Sequence, residues 1–273
     1  MAREKFEITP EQIREFQEAT LMDDVFMKAF FEGNIPAVQK VLCIIMDKPD
    51  LIVISVSVQE DFRGFDDSHG VRFDVYAIDS EGRQYDIEFQ NKTEGATPFR
   101  ADFNAAMMTV RTLRKGENYS VLSERERVVI FITKTDVLKG GLPLYTIERA
   151  IRETGETFND GVKIIYVNTS HKDASTAIGR LIHDFRCRNA DEWYYTEITE
   201  RARYLKGDEG LMKEIERGFK LQREEGIAIG KVQAQENIAV SLIELGQMAL
   251  NEIANVCHLS LARVNELAAS LEA

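Results

Sequence analysis

The sequence is short of cysteine, histidine and proline, and it has no apolar run long enough to cross a bilayer. Its three cysteines, Cys43, Cys187 and Cys257, lie far apart with no paired spacing. That argues against a disulfide framework and for reduced thiols. The four histidines, His69, His171, His183 and His258, show no ligand spacing, so a dedicated zinc site is not expected and no role is assigned to them. The longest apolar runs, 51–58 and 128–132, are of strand length. The first seven residues carry no signal-peptide stretch, and the expectation is a cytoplasmic protein that does not associate with membranes. No nucleophile-elbow motif is present. Positive charge is also scarce, with 34 Lys and Arg against 46 Asp and Glu and a net charge of −12. A protein that coats nucleic acid without specificity draws on phosphate neutralisation, so this balance argues against one. It leaves room for a local basic strip beside an acidic site.

What is present reads as alternating helix and strand. Thr9 caps a helix over 10–19, and Pro10 suits its first position. Asp23 and Asp24 open a second helix over 25–32 that stops at Gly33-Asn34. Pro36 lies just inside a third, which runs to about 46 and is broken by Lys48-Pro49-Asp50. Strands follow at 51–59, 71–78 and 84–92. Helical periodicity over 98–115 runs through Phe99, Phe103, Ala106, Met107, Val110 and Leu113, and Gly116 stops it. Buried strands are expected at 128–133 and 163–168, with an outer strand at 144–152. Helices over 172–187, 190–205 and 208–224 complete the main body. Residues 226–230 read as a weak linker or a poor helix. Short helices then occupy 235–272, with a stop at Gly246, a unit at 251–257 and Ser260 as N-cap for 261–271. The expected division is 1–225 and 226–273.

The stretch 71–92 carries the chemistry. Side chains alternate along a strand, which puts Phe73, Val75 and Ala77 on one face, with Tyr85, Ile87 and Phe89 on the matching face of the next strand. The opposite faces hold Asp74, Tyr76 and Ile78, then Gln84, Asp86, Glu88, Gln90 and Lys92. A three-residue loop, Ser80-Glu81-Gly82, with Gly82 in the left-handed conformation, closes the hairpin with Asp79 opposite Arg83. Counting outward, Ile78 meets Gln84, Tyr76 meets Asp86 and Asp74 meets Glu88. Two carboxylates across a strand pair repel unless one is protonated or a cation or metal ion lies between them. Oxygen ligands of this kind suit magnesium or manganese. A carboxylate pair followed by a polar group two residues on is also what metal-dependent phosphodiester hydrolysis needs. From spacing alone, a solvated acidic face accounts for the pattern as well.

At these residues the sequence resembles the PD-(D/E)XK nucleases, and more narrowly the PD-(D/E)XK family transposases of the recombination-promoting nuclease group. Arg72-Phe73-Asp74-Val75 followed by Tyr85-Asp86-Ile87-Glu88-Phe89-Gln90 is similar to that group's core. Asp24-Val25-Phe26-Met27-Lys28-Ala29-Phe30-Phe31 is similar to its early helix, with Met27 in place of a phenylalanine. Arg100 and Gly116-Glu117-Asn118-Tyr119 also resemble it, and the resemblance covers roughly 20–205. It implies an α/β, restriction-endonuclease-like fold: a mixed central sheet flanked by helices, with a small all-helical C-terminal tail. It implies Asp74 and Glu88 as metal ligands for magnesium or manganese, and Gln90 as a third catalytic residue where the wider superfamily has lysine. The implied activity is endonucleolytic cleavage of double-stranded DNA. A non-catalytic interaction protein that kept the fold is the main alternative, and an RNA-directed nuclease is a lesser one. Asp24, Lys28, Lys92 and Arg100 are candidates to support the site or contact DNA. For Asp24 and Lys28 a local helix pair is the competing reading, and for Arg100 a surface salt bridge.

The tail has helix–turn–helix-like spacing at Ile253-Ala254, Leu259-Ser260, Val264 and Leu267, and resembles the tails of the same group. Arg263 is its only Lys or Arg over 235–272, which opposes DNA reading. A packing or self-association module, forming a homo-oligomer, is expected instead. The mixed charges over 206–231 read as a solvated helix. Trp193-Tyr194-Tyr195 reads as core or interface rather than as a base-stacking platform.

Overall fold

The computed structural model describes residues 9–62 and 70–272. His69 and the first seven residues lie outside that range. The chain divides into two compact units, Met1–Leu211 and Met212–Ala273. Three helices lead into the first: α1 (Pro10–Glu18), α2 (Asp24–Phe31) and α3 (Ile35–Ile45). Thr9 caps α1 with its side chain, and Gln12 returns the bond to the Thr9 amide. Strands β1 (Val53–Phe62), β2 (Val71–Asp79) and β3 (Gln84–Gln90) follow, then α4 (Pro98–Thr112) and a single turn, α5 (Val121–Glu124). Next come β4 (Arg127–Thr133), β5 (Leu144–Ile147) and β6 (Val162–Asn168), then α6 (Ala177–Arg186) and α7 (Thr196–Lys206).

The six strands form one sheet in the order β1-β2-β3-β4-β6-β5. The first three make an antiparallel meander, β3, β4 and β6 run parallel, and β5 is an antiparallel edge. The long connection from β3 to β4 is what a parallel pair requires, and α4 fills it. Phe62, Phe73, Tyr76, Val129, Phe131 and Tyr166 pack with Ala101, Ala105 and Met108 of α4. Phe89 packs against Phe31 of α2 at 5.5 Å and Phe185 of α6 at 5.8 Å. Both faces of the central strands are therefore buried, and each fully buried phenylalanine contributes on the order of 2–3 kcal/mol.

Several expectations are corrected. The buried stripe of α4 is Ala101, Asn104, Ala105, Met108 and Thr112, while Phe99 is 86% and Val110 55% exposed. The small alanines let the helix approach the sheet, and its polar members meet the polar row of β3. The apolar periodicity had pointed to the wrong face. The outer strand is limited to β5, and one isolated bridge, Ala150 with Thr157, follows it. The helix expected over 190–205 is a 3₁₀ turn at Ala190–Glu192 followed by α7. Trp193 between them is buried beside Phe30 and donates to Cys187 O at 3.0 Å. Finally, α8 runs unbroken over Asp208–Leu245, through the stretch 226–230.

The second unit contains α9 (Leu250–Cys257) and α10 (Leu261–Glu272), with Ser260 accepting from Arg263 N as the cap. Ala239, Ile253, Ala254, Cys257 and Val264 form its core. No described helix is long and apolar enough to cross a membrane.

Candidate functional site

The hairpin turn sets the site's geometry. Gly82 has φ +79°, its amide donates to Asp79 O, and the Asp79 amide donates to Arg83 O at 3.1 Å. Arg83 and Tyr85 both donate to the buried Asp79 carboxylate, at 2.6 and 2.8 Å. From this locked turn the register runs Ile78↔Gln84, Ala77↔Tyr85, Tyr76↔Asp86 and Val75↔Ile87.

Asp74 lies where that ladder ends. The Phe89 amide donates to Asp74 Oδ2 at 3.0 Å, so a side chain takes over from the backbone. On the other flank, Gln59 lies between the pairs Val58↔Val75 and Glu60↔Phe73 and has φ +57°. A left-handed conformation costs a non-glycine residue about 1–2 kcal/mol. Beyond this break Phe73 leaves the expected face: its ring lies 4.3 Å from Phe62 and 6.0 Å from Tyr76.

Glu88 is fully buried. Arg100, in the first turn of α4, donates through Nη2 to Glu88 Oε2 at 2.5 Å and through Nη1 to Gly95 O at 3.2 Å. Gln90 Nε2 donates to the same Glu88 oxygen at 3.2 Å. Glu88 Oε1 is buried with no hydrogen-bond partner. Two residues earlier, Asp86 is also fully buried, with Asn104 Nδ2 donating to its Oδ2 at 2.8 Å and its Oδ1 unpartnered.

Neighbouring acids, two fully buried and Asp74 half-buried, resist ionisation. Burial raises the Asp74 carboxyl; the Phe89 amide lowers it, the Asp24 charge raises it, and Arg100 and Lys28 lower it. Burial, and then the charge of Glu88, push Asp86 well above the usual carboxylate range. Burial, then the charge of Asp74, push Glu88 up to about 7, against the pull of Arg100.

A family model for PD-(D/E)XK nuclease family transposase matches residues 21–196, well over half of the chain. The chain belongs to this family of PD-(D/E)XK nuclease transposases. No curated protein and no solved structure matches it. The mixed six-stranded sheet with flanking helices is the restriction-endonuclease-like α/β fold of these nucleases.

In this PD-(D/E)XK chain, Asp74, Glu88, Gln90 and Arg100 come together at one end of β3. Asp24 and Lys28 pair with each other at 2.6 Å on α2, and both charges reach Asp74. Lys92 is exposed beyond the end of β3. Arg100 pairs with a buried acid rather than with a surface one. Sequence reasoning did not single out Asp86, Asn104 or Gly95. Asp86 was legible as the acid two residues before Glu88 on one strand face, and Asn104 as the residue one helical turn after Arg100. Gly95 could not be found that way: a Cβ there would lie 2.0 Å from Gln90 Oε1, so the glycine is what admits the Gln90 amide.

Among the described residues no three His, Cys, Asp or Glu side chains gather in metal-holding geometry. The donor set still suits a hard divalent ion. It is all oxygen, and it contains two buried carboxylate oxygens, Glu88 Oε1 and Asp86 Oδ1, that no amide, hydroxyl or cationic donor satisfies, in two carboxyls that share a hydrogen bond with each other when one is protonated. Buried acids of raised pKa, neutralised by neighbours only in part, cluster at functional sites.

Proposed function

We propose that this chain is an endonuclease that hydrolyses double-stranded DNA with magnesium or manganese held by Asp74 and Glu88. The observation that carries the reading is Glu88 itself: fully buried, held through one oxygen, unpartnered at the other. A divalent ion there would supply Lewis-acid polarisation of a phosphate oxygen and a nucleophile at neutral pH. The protein's part is positioning. Phe89 N holds Asp74, and Arg100 and Gln90 both hold Glu88 by Oε2, so neither of them occupies Oε1. Gln90, given room by Gly95, is the amide that orients the attacking water or the phosphate. Asp24 and Lys28 adjust the charge felt by Asp74 from α2.

Promotion of recombination by such cuts and a cytoplasmic location belong to the same proposal. So does self-association through the C-terminal helices of a 226–273 tail. Arg263, the only Lys or Arg over 235–272, is spent on Glu236 and Glu266 at 2.8 and 2.7 Å, which supports packing over DNA reading. The deciding test is plasmid cleavage in magnesium. Asp74→Ala and Glu88→Ala are expected to abolish it, and cleavage at the wild-type level by either would end the assignment.

One observation favours the non-catalytic interaction protein. Arg100 is a permanent cation already seated on Glu88. A wild-type protein that binds partners but cuts no DNA with magnesium or manganese would select that reading.

A further inference from the structure

The three parallel strands end along one rim of the sheet. Gln90 is level with Thr133, and Thr133 with Asn168. Hydrogen bonds join the rim from strand to strand. Lys134 N donates to Gln90 O at 3.0 Å, and Thr169 donates to Thr133 O through both N and Oγ1 at 2.9 Å. Arg186 of α6 then donates through Nη1 to Thr169 O at 2.9 Å. Each strand exits toward an exposed lysine: Lys92 after β3, Lys134 after β4 and Lys172 after β6.

Past β6 the rim deepens into a cleft of about 270 Å³ whose polar lining includes Thr169, His171, Lys172, His183 and Arg186. Among the described residues no acidic one lines it. The acids beside it are held by hydrogen bonds, Asp184 against the lining His183 and Glu192 at 3.8 Å from the lining Cys187 Sγ. Asp184 is buried, accepts from the amides of Tyr194 and Tyr195, and lies 3.1 Å from His183 Nδ1. Asp173 accepts from Ser175 N, and Asp136 from Lys139 N, Gly141 N and Tyr145 Oη. In a chain of net charge −12, a cleft lined by two cations and two histidines is a marked local excess. In open α/β sheets ligands sit outside the carboxyl ends of the strands, which is where this rim lies.

We propose that this cleft is a phosphate subsite for the DNA backbone. The proposal rests on the nuclease reading above and adds the track that the substrate follows. Two interstrand spacings separate β3 from β6, ~10 Å. That is the axial rise of about three base pairs at ~3.4 Å each. Lys134 stands between, at the exit of β4. The contact is to phosphate, so it positions the duplex without reading its sequence.

The test is fluorescence anisotropy of a short labelled duplex with calcium in place of magnesium, across a salt series. Each lost phosphate contact lowers the salt slope by about 1 and, at 0.1 M salt, weakens binding roughly tenfold. Lys172→Gln, at an exposed position, and Arg186→Gln are each expected to do this for every duplex sequence. Lys115→Gln, an equal change of charge elsewhere, is expected to leave the slope alone. Unchanged binding by Lys172→Gln and Arg186→Gln, with melting temperatures that show both folded, overturns the subsite. So does an equal loss in Lys115→Gln. In either case plasmid cleavage by the wild type would leave the nuclease reading standing. Inorganic phosphate, at matched ionic strength, that occupies the wild type without displacing the duplex would identify a free-phosphate site and also overturn it. A wild type that binds no duplex overturns both readings together.

Discussion

Arg100 and Glu88 form an ion pair between α4 and β3 in which only one partner is buried: Glu88 is fully enclosed, while the Arg100 side chain keeps 37% of its exposure. The arginine can thus hold one carboxylate oxygen from the solvent side and leave the other to a second cation. This asymmetry makes a permanent positive charge at the site compatible with the proposed metal chemistry.

Removing that arginine strands the acid. Breaking a buried pair costs about 3–5 kcal/mol, and partial exposure of Arg100 brings the expected loss down to about 1–2 kcal/mol. Urea denaturation of Arg100→Gln at pH 8, without divalent ions, should show a lower midpoint. An unchanged midpoint would mean that Glu88 is carried neutral and draws nothing from the pair.

Ion binding should be visible without any cutting. At a hundredfold excess over Kd, magnesium or calcium is expected to add about 2.7 kcal/mol, or roughly 5–10 °C in Tm. Chelator should reverse the gain, and Glu88→Gln should lack it. An identical rise in Glu88→Gln would move the ion elsewhere.

Gly95 touches no reacting group, yet Gly95→Ala should impair cleavage. Its new methyl would collide with Gln90 Oε1 and turn the amide away. Misplacement by about 1 Å costs ~100-fold in rate. The long glutamine side chain can move cheaply, so stability should stay within about 1 kcal/mol of the wild type. Single-turnover cleavage beside a thermal melt distinguishes this from misfolding.

The loop after β4 should be acid-sensitive through Asp136. Burial raises its carboxyl, but hydrogen bonds from Gly141 N, Tyr145 Oη and Lys139 N outweigh that and hold it below the ordinary carboxylate value. The folded pKa is thus depressed. The stabilisation is present above the unfolded value of ~3.9 and is lost as pH falls through the folded one. The wild type should exceed Asp136→Asn in urea midpoint at pH 6, and the gap should close below about pH 4. A gap that persists at low pH would assign the loss to the changed hydrogen bonds instead.

How far the sequence carried the structure depended on whether local chemistry or tertiary contact decided the outcome. The hairpin was readable because Ser80-Glu81-Gly82 admits few closures and Gly82 supplies the positive φ that sets the register. The caps at Thr9 and Ser260 were readable for the same reason. The orientation of α4 was not. Its aromatic and branched residues suggested one face, but the helix turns Asn104 and Thr112 inward to meet Asp86 and Gln84, at 2.8 Å in each case. A polar row on a strand selects a polar helix face, and a hydrophobic pattern cannot register that preference. The displacement of Phe73 was hidden too, because it lies beside a left-handed Gln59 on the neighbouring strand that no local pattern announces. The pairing of Arg100 with Glu88 spans two elements, and only the fold could choose it over a surface partner.

The clasp of the Phe89 amide on Asp74 bears on how fast an ion comes and goes. If Asp74 is a ligand as proposed, one already parked by the main chain needs no strand to shift before loading, and the slow event becomes the shedding of water by the arriving ion. Magnesium sheds its hydration shell reluctantly and calcium readily. Calcium should therefore load faster than magnesium at equal concentration, a ranking that would vanish if the hairpin had to open first.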